Sequence, residues 1–301
     1  MKVNALPRVA LLLALATKSS PAAGWQDLDP SFRKTAGEVE MELVVSRQWR
    51  AVTSLHKEEV AIFQDERPVG ELTGFYPAGG ASTQVWLMLD TSASMSRDFA
   101  QEKNMAESLL QRLTRPGIDP PAAVTVAAHA GLPEAGERMS PQDWDRIAAL
   151  QPSGLTALFD AVCSLSARAG NSQAVARRQI LILLSDGDDT YSRHTVEEAV
   201  TAAQKSHLVI YAITAHSRKT LQWGDVNLQR LTSETGGQVF FLKNFAHADS
   251  IVDEVERRVR SAYSVTFRPA DQGCGFHRVR IELADRSLRA HARAGFYGEC
   301  P

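Results

Sequence analysis

The stretch that most constrains this chain is Val85–Met95, which reads Val-Trp-Leu-Met-Leu-Asp-Thr-Ser-Ala-Ser-Met. An unbroken apolar run from Val85 to Leu89 predicts a strand buried on both faces, the kind found inside parallel sheets. The run stops at Asp90, and Ser92 and Ser94 follow at alternate positions. One carboxylate and two hydroxyls are thereby crowded into a turn at the carboxyl end of a strand, where open parallel sheets bind ligands. Hard oxygen donors of this type suit Mg2+, Mn2+ or Ca2+ better than zinc or copper. Taken alone, the same residues also fit an ordinary strand-to-helix turn with a capping side chain.

The rest of the chain decides between those readings. From Gln84 to about Ala262 strands and helices alternate, which predicts a doubly wound, mostly parallel α/β sheet with helices on both faces. Strands are predicted at Val124–Ala128, Ile180–Leu184, Leu208–Thr214 and Gln238–Leu242. Phe99, Ala106, Leu109, Leu110 and Leu113 mark one amphipathic helix, ended by Pro116-Gly117. Further helices are predicted at Asp143–Leu150 and Ala157–Ala167, and around Asn227–Glu234 ahead of Gly236-Gly237. Thr195 and Glu198 form a capping box ahead of Val196, Ala199, Val200 and Ala203. Ile251, Val252, Val255 and Val259 stripe a last helix.

Both flanks read as β structure. Glu38–Val45 alternates apolar with acidic residues, Val60–Gln64 is a short strand, and Asp65-Glu66-Arg67-Pro68 turns the chain into Val69–Phe75. Strands return at Tyr263–Arg268, His277–Leu283 and Leu288–Ala294, so the two ends are expected to meet in one small accessory β module. The expected division is a signal peptide over residues 1–23, a linker over 24–37, and an N-terminal β segment over 38–82. The α/β domain follows over 83–262 and a C-terminal β segment over 263–301.

The signal peptide rests on Lys2 and Arg8 ahead of the apolar run Val9–Ala16, followed by small residues through Ala23. That run is too short for a stable bilayer span. A secreted or periplasmic location follows, with no transmembrane segment in the mature chain. Of three cysteines, Cys274 and Cys300 stand where an oxidising compartment would permit a bridge, and Cys163 reads as a small buried hydrophobe. A net charge of -2 and a pI near 6.5 supply no basic field for nucleic acid.

Three turns now line up at one sheet edge: Asp90, Ser92 and Ser94 after the first strand, Thr156 in Ser153-Gly154-Leu155-Thr156-Ala157, and Asp186 in Ser185-Asp186-Gly187. Two carboxylates and three hydroxyls could surround one octahedral cation. These elements resemble the metal-ion-dependent adhesion site of von Willebrand factor type A domains, over roughly Gln84–Ala262. The resemblance implies that Asp90, Ser92, Ser94, Thr156 and Asp186 hold Mg2+ (or Mn2+, with Ca2+ possible). It also implies that a protein partner's Asp or Glu carboxylate completes the shell. Val52–Leu55, Val60–Asp65, Tyr263–Val265 and Ala294–Tyr297 are similar to flanking strands of secreted bacterial "VWFA-related" proteins, a group common in Acidobacteria. Ala127–Gly136 departs from the family pattern, being alanine- and glycine-rich without a second hairpin strand. Some relatives switch the conformation of the last helix, here Ala248–Ala262.

Rival chemistries find less in the residues. Asp188 and Asp189 could add ligands but read more simply as solvated or capping groups. The eight histidines show no helical metal spacing, no Gly-x-Ser-x-Gly elbow is present, and no phosphate-cradling loop follows the first strand. The expectation is therefore a non-enzymatic binding module. The alternatives are a structural part of an envelope or secreted assembly with a stabilising cation and, behind it, a Mg-dependent hydrolase.

Overall fold

The computed structural model describes residues 37–78, 83–114, 122–126, 145, 147–171, 178–215 and 222–298. The segments read as a signal peptide, the linker up to residue 36, Ala127–Gly136 and the first residues of the helix expected at Asp143–Leu150 lie outside those residues.

The first strands come from the N-terminal segment: β1 (Val39–Arg47), β2 (Arg50–Ala51), β3 (Val60–Gln64), β4 (Arg67–Pro68) and β5 (Leu72–Pro77). The central unit follows, with β6 (Thr83–Asp90), α1 (Phe99–Leu113), β7 (Ala122–Val126), α2 (Leu158–Asn171), β8 (Arg178–Leu184), α3 (Val196–Lys205), β9 (Leu208–Thr214), α4 (Trp223–Thr235), β10 (Val239–Phe241) and α5 (Ala248–Arg260). The chain closes with β11 (Tyr263–Phe267), β12 (Gly275–Leu283), β13 (Leu288–His291) and β14 (Gly295–Gly298).

The central sheet has the order β10-β9-β8-β6-β7, with every pairing parallel. Alternation of side chains along β6 explains its continuous apolar run. Val85, Leu87 and Leu89 face a core shared with α1 and α5, whereas Trp86 and Met88 face a second core shared with α2, α3 and α4. This is the doubly wound α/β architecture expected from the alternation of elements. Neighbouring β7 and β8 lie on opposite sides of β6, so the strand order reverses there and a crevice opens at the carboxyl ends of β6 and β8.

The capping box at Thr195 forms as read. The Thr195 hydroxyl accepts from the Glu198 amide at 3.2 Å, and the Glu198 carboxylate accepts from the Thr195 amide at 2.8 Å. Helix α4 starts earlier than its apolar residues suggested. Its amino end is set by Gln222, whose amide donates to the Asp225 carboxylate at 3.0 Å, a polar signal that a search for apolar periodicity passes over. Gly236, at φ 94°, ends the same helix in the left-handed conformation open to glycine.

The flanking strands of both ends interleave into two antiparallel sheets. One runs β13-β1-β11-β5 with β2 on β1, and the other runs β14-β12-β3-β4. Met41, Leu43, Val60, Ile62, Val265, Phe267, Val279 and Phe296 share one core drawn from both sheets. The strand expected at Leu288–Ala294 stops at His291, and β14 follows it. Arg178 ties this sandwich to the α/β unit. Its guanidinium donates to both Glu42 oxygens at 2.9 and 2.5 Å and to the Val259 carbonyl at 2.8 Å. Cys274 is disulfide-bonded, Cys300 lies outside the described residues, and Cys163 is free and partly buried. Burial pushes the Cys163 thiol up to about 11, which leaves it protonated and inert.

The β3–β4 hairpin turns through Asp65 and Glu66, at φ 47° and 64°. The Asp65 carboxylate holds the turn by accepting from the Arg278 amide at 2.9 Å and by pairing with His277 Nδ1, also at 2.9 Å. The Asp65 contact, aided by the Gly273 carbonyl, raises the His277 pKa above its ordinary 6.5. A histidine with a raised folded-state pKa stabilises fully below its unfolded value and loses that stabilisation as pH rises through the folded one. His291 works in the opposite sense. Burial, then Arg258 and Arg289, lower its pKa to about 4, so it disfavours the fold as the medium acidifies from 6.5 toward 4. The expected result is that His277→Gln loses stability relative to wild type at pH 6 and that the gap narrows by pH 8.5. Urea unfolding of both proteins across that range checks it, and a gap independent of pH refutes it.

Candidate metal centre

The site is built on register. Leu89 of β6 pairs with Leu184 of β8, so Asp90 and Ser185 leave the sheet side by side. The Ser185 hydroxyl donates to Asp90 Oδ2 at 2.6 Å, while its oxygen accepts from the Gly187 amide at 2.9 Å. The other carboxylate oxygen, Oδ1, accepts from the Ser92 amide at 2.9 Å. Asp90 is thus fixed at both oxygens and buried at 1% exposure. Ser92 and Ser94 present their hydroxyls to one another at 2.9 Å, with Ser92 buried and Ser94 exposed at the mouth.

Backbone hydrogen bonds lace the three turns together. The Ala93 amide donates to the Gly154 carbonyl at 3.1 Å and the Ser153 amide to the Thr91 carbonyl at 2.8 Å. Thr156, buried at 3% exposure, joins the third turn. Its carbonyl accepts from the Thr190 and Tyr191 amides at 3.0 and 2.9 Å, and its amide donates to the Thr190 hydroxyl at 3.0 Å. Asp186, also buried, accepts from the Asp188 amide at 3.1 Å. Glycine is required where α4 meets this turn: a Cβ on Gly224 would lie 2.2 Å from the Asp186 carbonyl, and one on Gly187 would lie 2.3 Å from the Gly224 carbonyl.

The electrostatics set the site apart. Burial raises the Asp90 pKa to about 6, against the lowering effect of the Ser185 and Ser92 hydrogen bonds, and nearby Asp186 raises it further. Among the described residues, the other charged group that acts on it is the like-signed Asp186. Helix α1 adds Glu102, which sequence reading passed over because it looked for apolar residues on that face. Burial, followed by the charges of Asp90, Asp98 and Asp186, pushes Glu102 up to about 8. Ser94, Asp98, Glu102, Asp186 and Thr214 line one small cleft. Among the described residues no cluster of three or more His, Cys, Asp or Glu is arranged to hold a metal. The five candidate donors instead combine two carboxylates with three hydroxyls, a hard oxygen set suited to Mg2+ or Mn2+.

Asp189 is used elsewhere. Its oxygens accept from the Phe159 amide at 3.0 Å, the Ser192 amide at 3.0 Å and the Ser192 hydroxyl at 2.6 Å, which fixes the start of α2.

The von Willebrand factor type A domain family model matches residues 145–254, which carry Thr156, Asp186 and the elements from α2 into α5. The chain contains a von Willebrand factor type A domain. The Asp90 turn lies ahead of the matched residues and is joined to them by the continuous pairing of β6 with β8. Several solved structures are similar. A von Willebrand factor type A protein from Catenulispora acidiphila is 12% identical over 88% of this chain and 76% of its own, with a TM-score of 0.49. Proximal thread matrix protein 1 from the mussel byssus, solved with a zinc-occupied MIDAS motif, is 19% identical over 65% of this chain and 49% of its own, with a TM-score of 0.48. The pilus adhesin SpaC from Lactobacillus rhamnosus GG is 9% identical over 81% of this chain and 48% of its own, with a TM-score of 0.47. The chain spans about half the length of the last two. No curated protein matches it.

Proposed function

We propose that this protein is a secreted or periplasmic binding module, related to the bacterial VWFA-related group. It captures a protein partner's Asp or Glu side chain through Mg2+ or Mn2+ held by Asp90, Ser92, Ser94, Thr156 and Asp186. The observation that carries this reading is a pair of buried aspartates, Asp90 and Asp186, at the switch point of a parallel sheet, with hydroxyls for neighbours and, among the described residues, no base paired with Asp90. Unpaired buried carboxylates are costly, and a divalent ion offsets that cost. The cation supplies Lewis acidity when bound. The chain's part is to fix the donors, keep the inner face dry and leave the outer face open at Ser94.

The surroundings favour a protein partner. Leu155, Tyr191, Trp223 and Val226 are exposed at 48%, 54%, 83% and 44%, unusual values for large apolar side chains. All four sit on the segments that frame the site: Leu155 precedes Thr156, the Tyr191 amide bonds the Thr156 carbonyl, and Trp223 and Val226 flank the start of α4 beside Asp186. A secreted setting accords with the disulfide at Cys274. Among the described residues no helix is long and apolar enough to cross a membrane.

Calorimetric titration of Mg2+ and Mn2+ into the metal-stripped protein tests the proposal. One saturable site is the expected result, followed by divalent-dependent retention of acidic protein ligands. Binding of neither ion overturns it and leaves the β-sandwich as the working surface of a structural component.

A further inference from the structure

Exposed apolar side chains are unevenly spread over this molecule. Among the described residues seven large ones are exposed, and four of them, Leu155, Tyr191, Trp223 and Val226, stand on the segments that carry or abut Thr156 and Asp186. The other three are scattered over the β-sandwich, Trp49 in the β1–β2 turn, Tyr76 on β5 and Phe276 on β12. Trp49 and Phe276 have local company there, the Arg50 guanidinium at 5.2 Å and the Tyr297 ring at 5.0 Å. Trp223 is the most exposed of the seven. It opens α4, one residue before the Gly224 backbone that abuts the Asp186 carbonyl. Helix α4 packs through Leu228 and Leu231, so the fold has no use for an indole at that position. The same rim carries two exposed arginines, Arg97 at the end of the turn that holds Ser94 and Arg193 just after Tyr191. Neither forms an ion pair among the described residues. An apolar ring with spare positive charge, set around a site for a carboxylate, is complementary to an acid with apolar neighbours.

We propose that this rim selects the partner: the ligand is a peptide segment whose Asp or Glu is flanked by bulky apolar side chains, and Trp223 is the residue that reads them. The proposal rests on the metal-site reading above and deepens it to the kind of partner. A metal centre alone takes any accessible carboxylate and so cannot tell one acidic segment from another. The rim adds that discrimination, because apolar neighbours of the acid leave water only where apolar surface receives them. An indole suits the task, offering a large contact area with few rotatable bonds to immobilise. Arg97 and Arg193 act in the same direction by disfavouring basic segments.

The experiment uses the full chain as wild type and Trp223→Ser, with Mn2+ and capped glycine–serine peptides that differ only at their centre: Gly-Glu-Gly, Leu-Glu-Leu or Leu-Gln-Leu. Mn2+ binding is titrated first, and peptide binding is then measured by calorimetry in Mn2+ and in chelator. Wild type in Mn2+ is expected to bind Leu-Glu-Leu roughly tenfold more tightly than Gly-Glu-Gly. Leu-Gln-Leu is expected not to bind, and chelator should abolish binding of both acidic peptides. Trp223→Ser should lose most of the preference and bind the two acidic peptides nearly alike. Its melting curve and Mn2+ titration should match wild type, since the side chain removed is neither packed in the core nor a candidate donor. If wild type takes up Mn2+ but binds the two acidic peptides equally, or binds neither, the rim does not select the partner and the inference falls while the metal site stands. A preference that survives in Trp223→Ser, or Leu-Gln-Leu binding as tightly as Leu-Glu-Leu, overturns it equally. If wild type binds no Mn2+, the metal-site reading falls and takes the inference with it.

Discussion

Asp90→Ala is expected to lose Mg2+ and Mn2+ binding by more than about a hundredfold, because the side chain removed is the most deeply fixed of the candidate donors. Wild type in metal at about a hundred times its dissociation constant should gain about 2.7 kcal/mol of stability, or roughly 5–10 °C in melting temperature for a chain of this size. The variant should gain nothing. The metal-free comparison sharpens the test. Asp90 has a folded-state pKa of about 6 against an ordinary 3.8. A carboxyl group with a raised folded-state pKa penalises the fold as pH rises through that interval, and the penalty is fully present above it. Substitution by alanine relieves that penalty and forfeits the hydrogen bonds from the Ser185 hydroxyl and the Ser92 amide, so the two effects oppose. Metal-free stability at pH 7.5 should therefore change by no more than about 1 kcal/mol. Calorimetry together with melting curves in Mg2+ and in chelator separates these outcomes. An Asp90→Ala protein that still shifts with Mg2+ refutes the assignment.

Much of this site is legible in the residues because its constraints are local. An apolar run that ends on Asp90 has to be a strand buried on both faces, and a short turn after it brings Ser92 and Ser94 to the same edge. Asp186 is readable for the same reason at the end of β8. Ser185 is harder to see, since a hydroxyl matters here only through the Leu89–Leu184 register that sets it beside Asp90. Glu102 left a signal that apolar counting misses: an acid on the 99, 102, 106, 109 and 113 face of an otherwise core-facing helix. The β-sandwich is the least legible part. The pairings of β1 with β11 and β13, and of β3 with β12, join residues some two hundred apart, and nothing in a strand's alternation names so distant a partner. The Arg258–Glu254 pair misleads in another way, because charges four apart on a helix ordinarily mark its solvent face.

That pair carries the largest stability effect expected from a single side chain. Arg258 is fully buried in α5, and Glu254 is 1% exposed. Arg258 Nε donates to Glu254 Oε1 at 3.0 Å, Nη2 donates to the Trp49 carbonyl at 3.0 Å, and the guanidinium lies 5.7 Å from the centre of the Phe240 ring. Arg258→Ala strips the buried acid of one base, leaves the Trp49 carbonyl unpaired and opens a void where α5 meets the β1–β2 hairpin. Breaking such a pair ordinarily costs about 3–5 kcal/mol. Arg257 still donates to Glu254 Oε2 at 2.9 Å, which places the expected loss near the lower end, about 3 kcal/mol. In melting temperature that is roughly 6–12 °C. Glu254→Gln combined with Arg258→Met should cost less than the single truncation, since removing both charges also removes their desolvation. Among the described residues Nη1 of Arg258 has no hydrogen-bond partner, so the pair is already imperfectly repaid. Urea unfolding of the single and double variants checks the order, and a double variant less stable than Arg258→Ala refutes it. Mg2+ affinity should be the same in every variant that folds. Arg258 and Glu254 take their countercharges from within the fold, whereas on the function proposed above Asp90 takes its own from a bound cation.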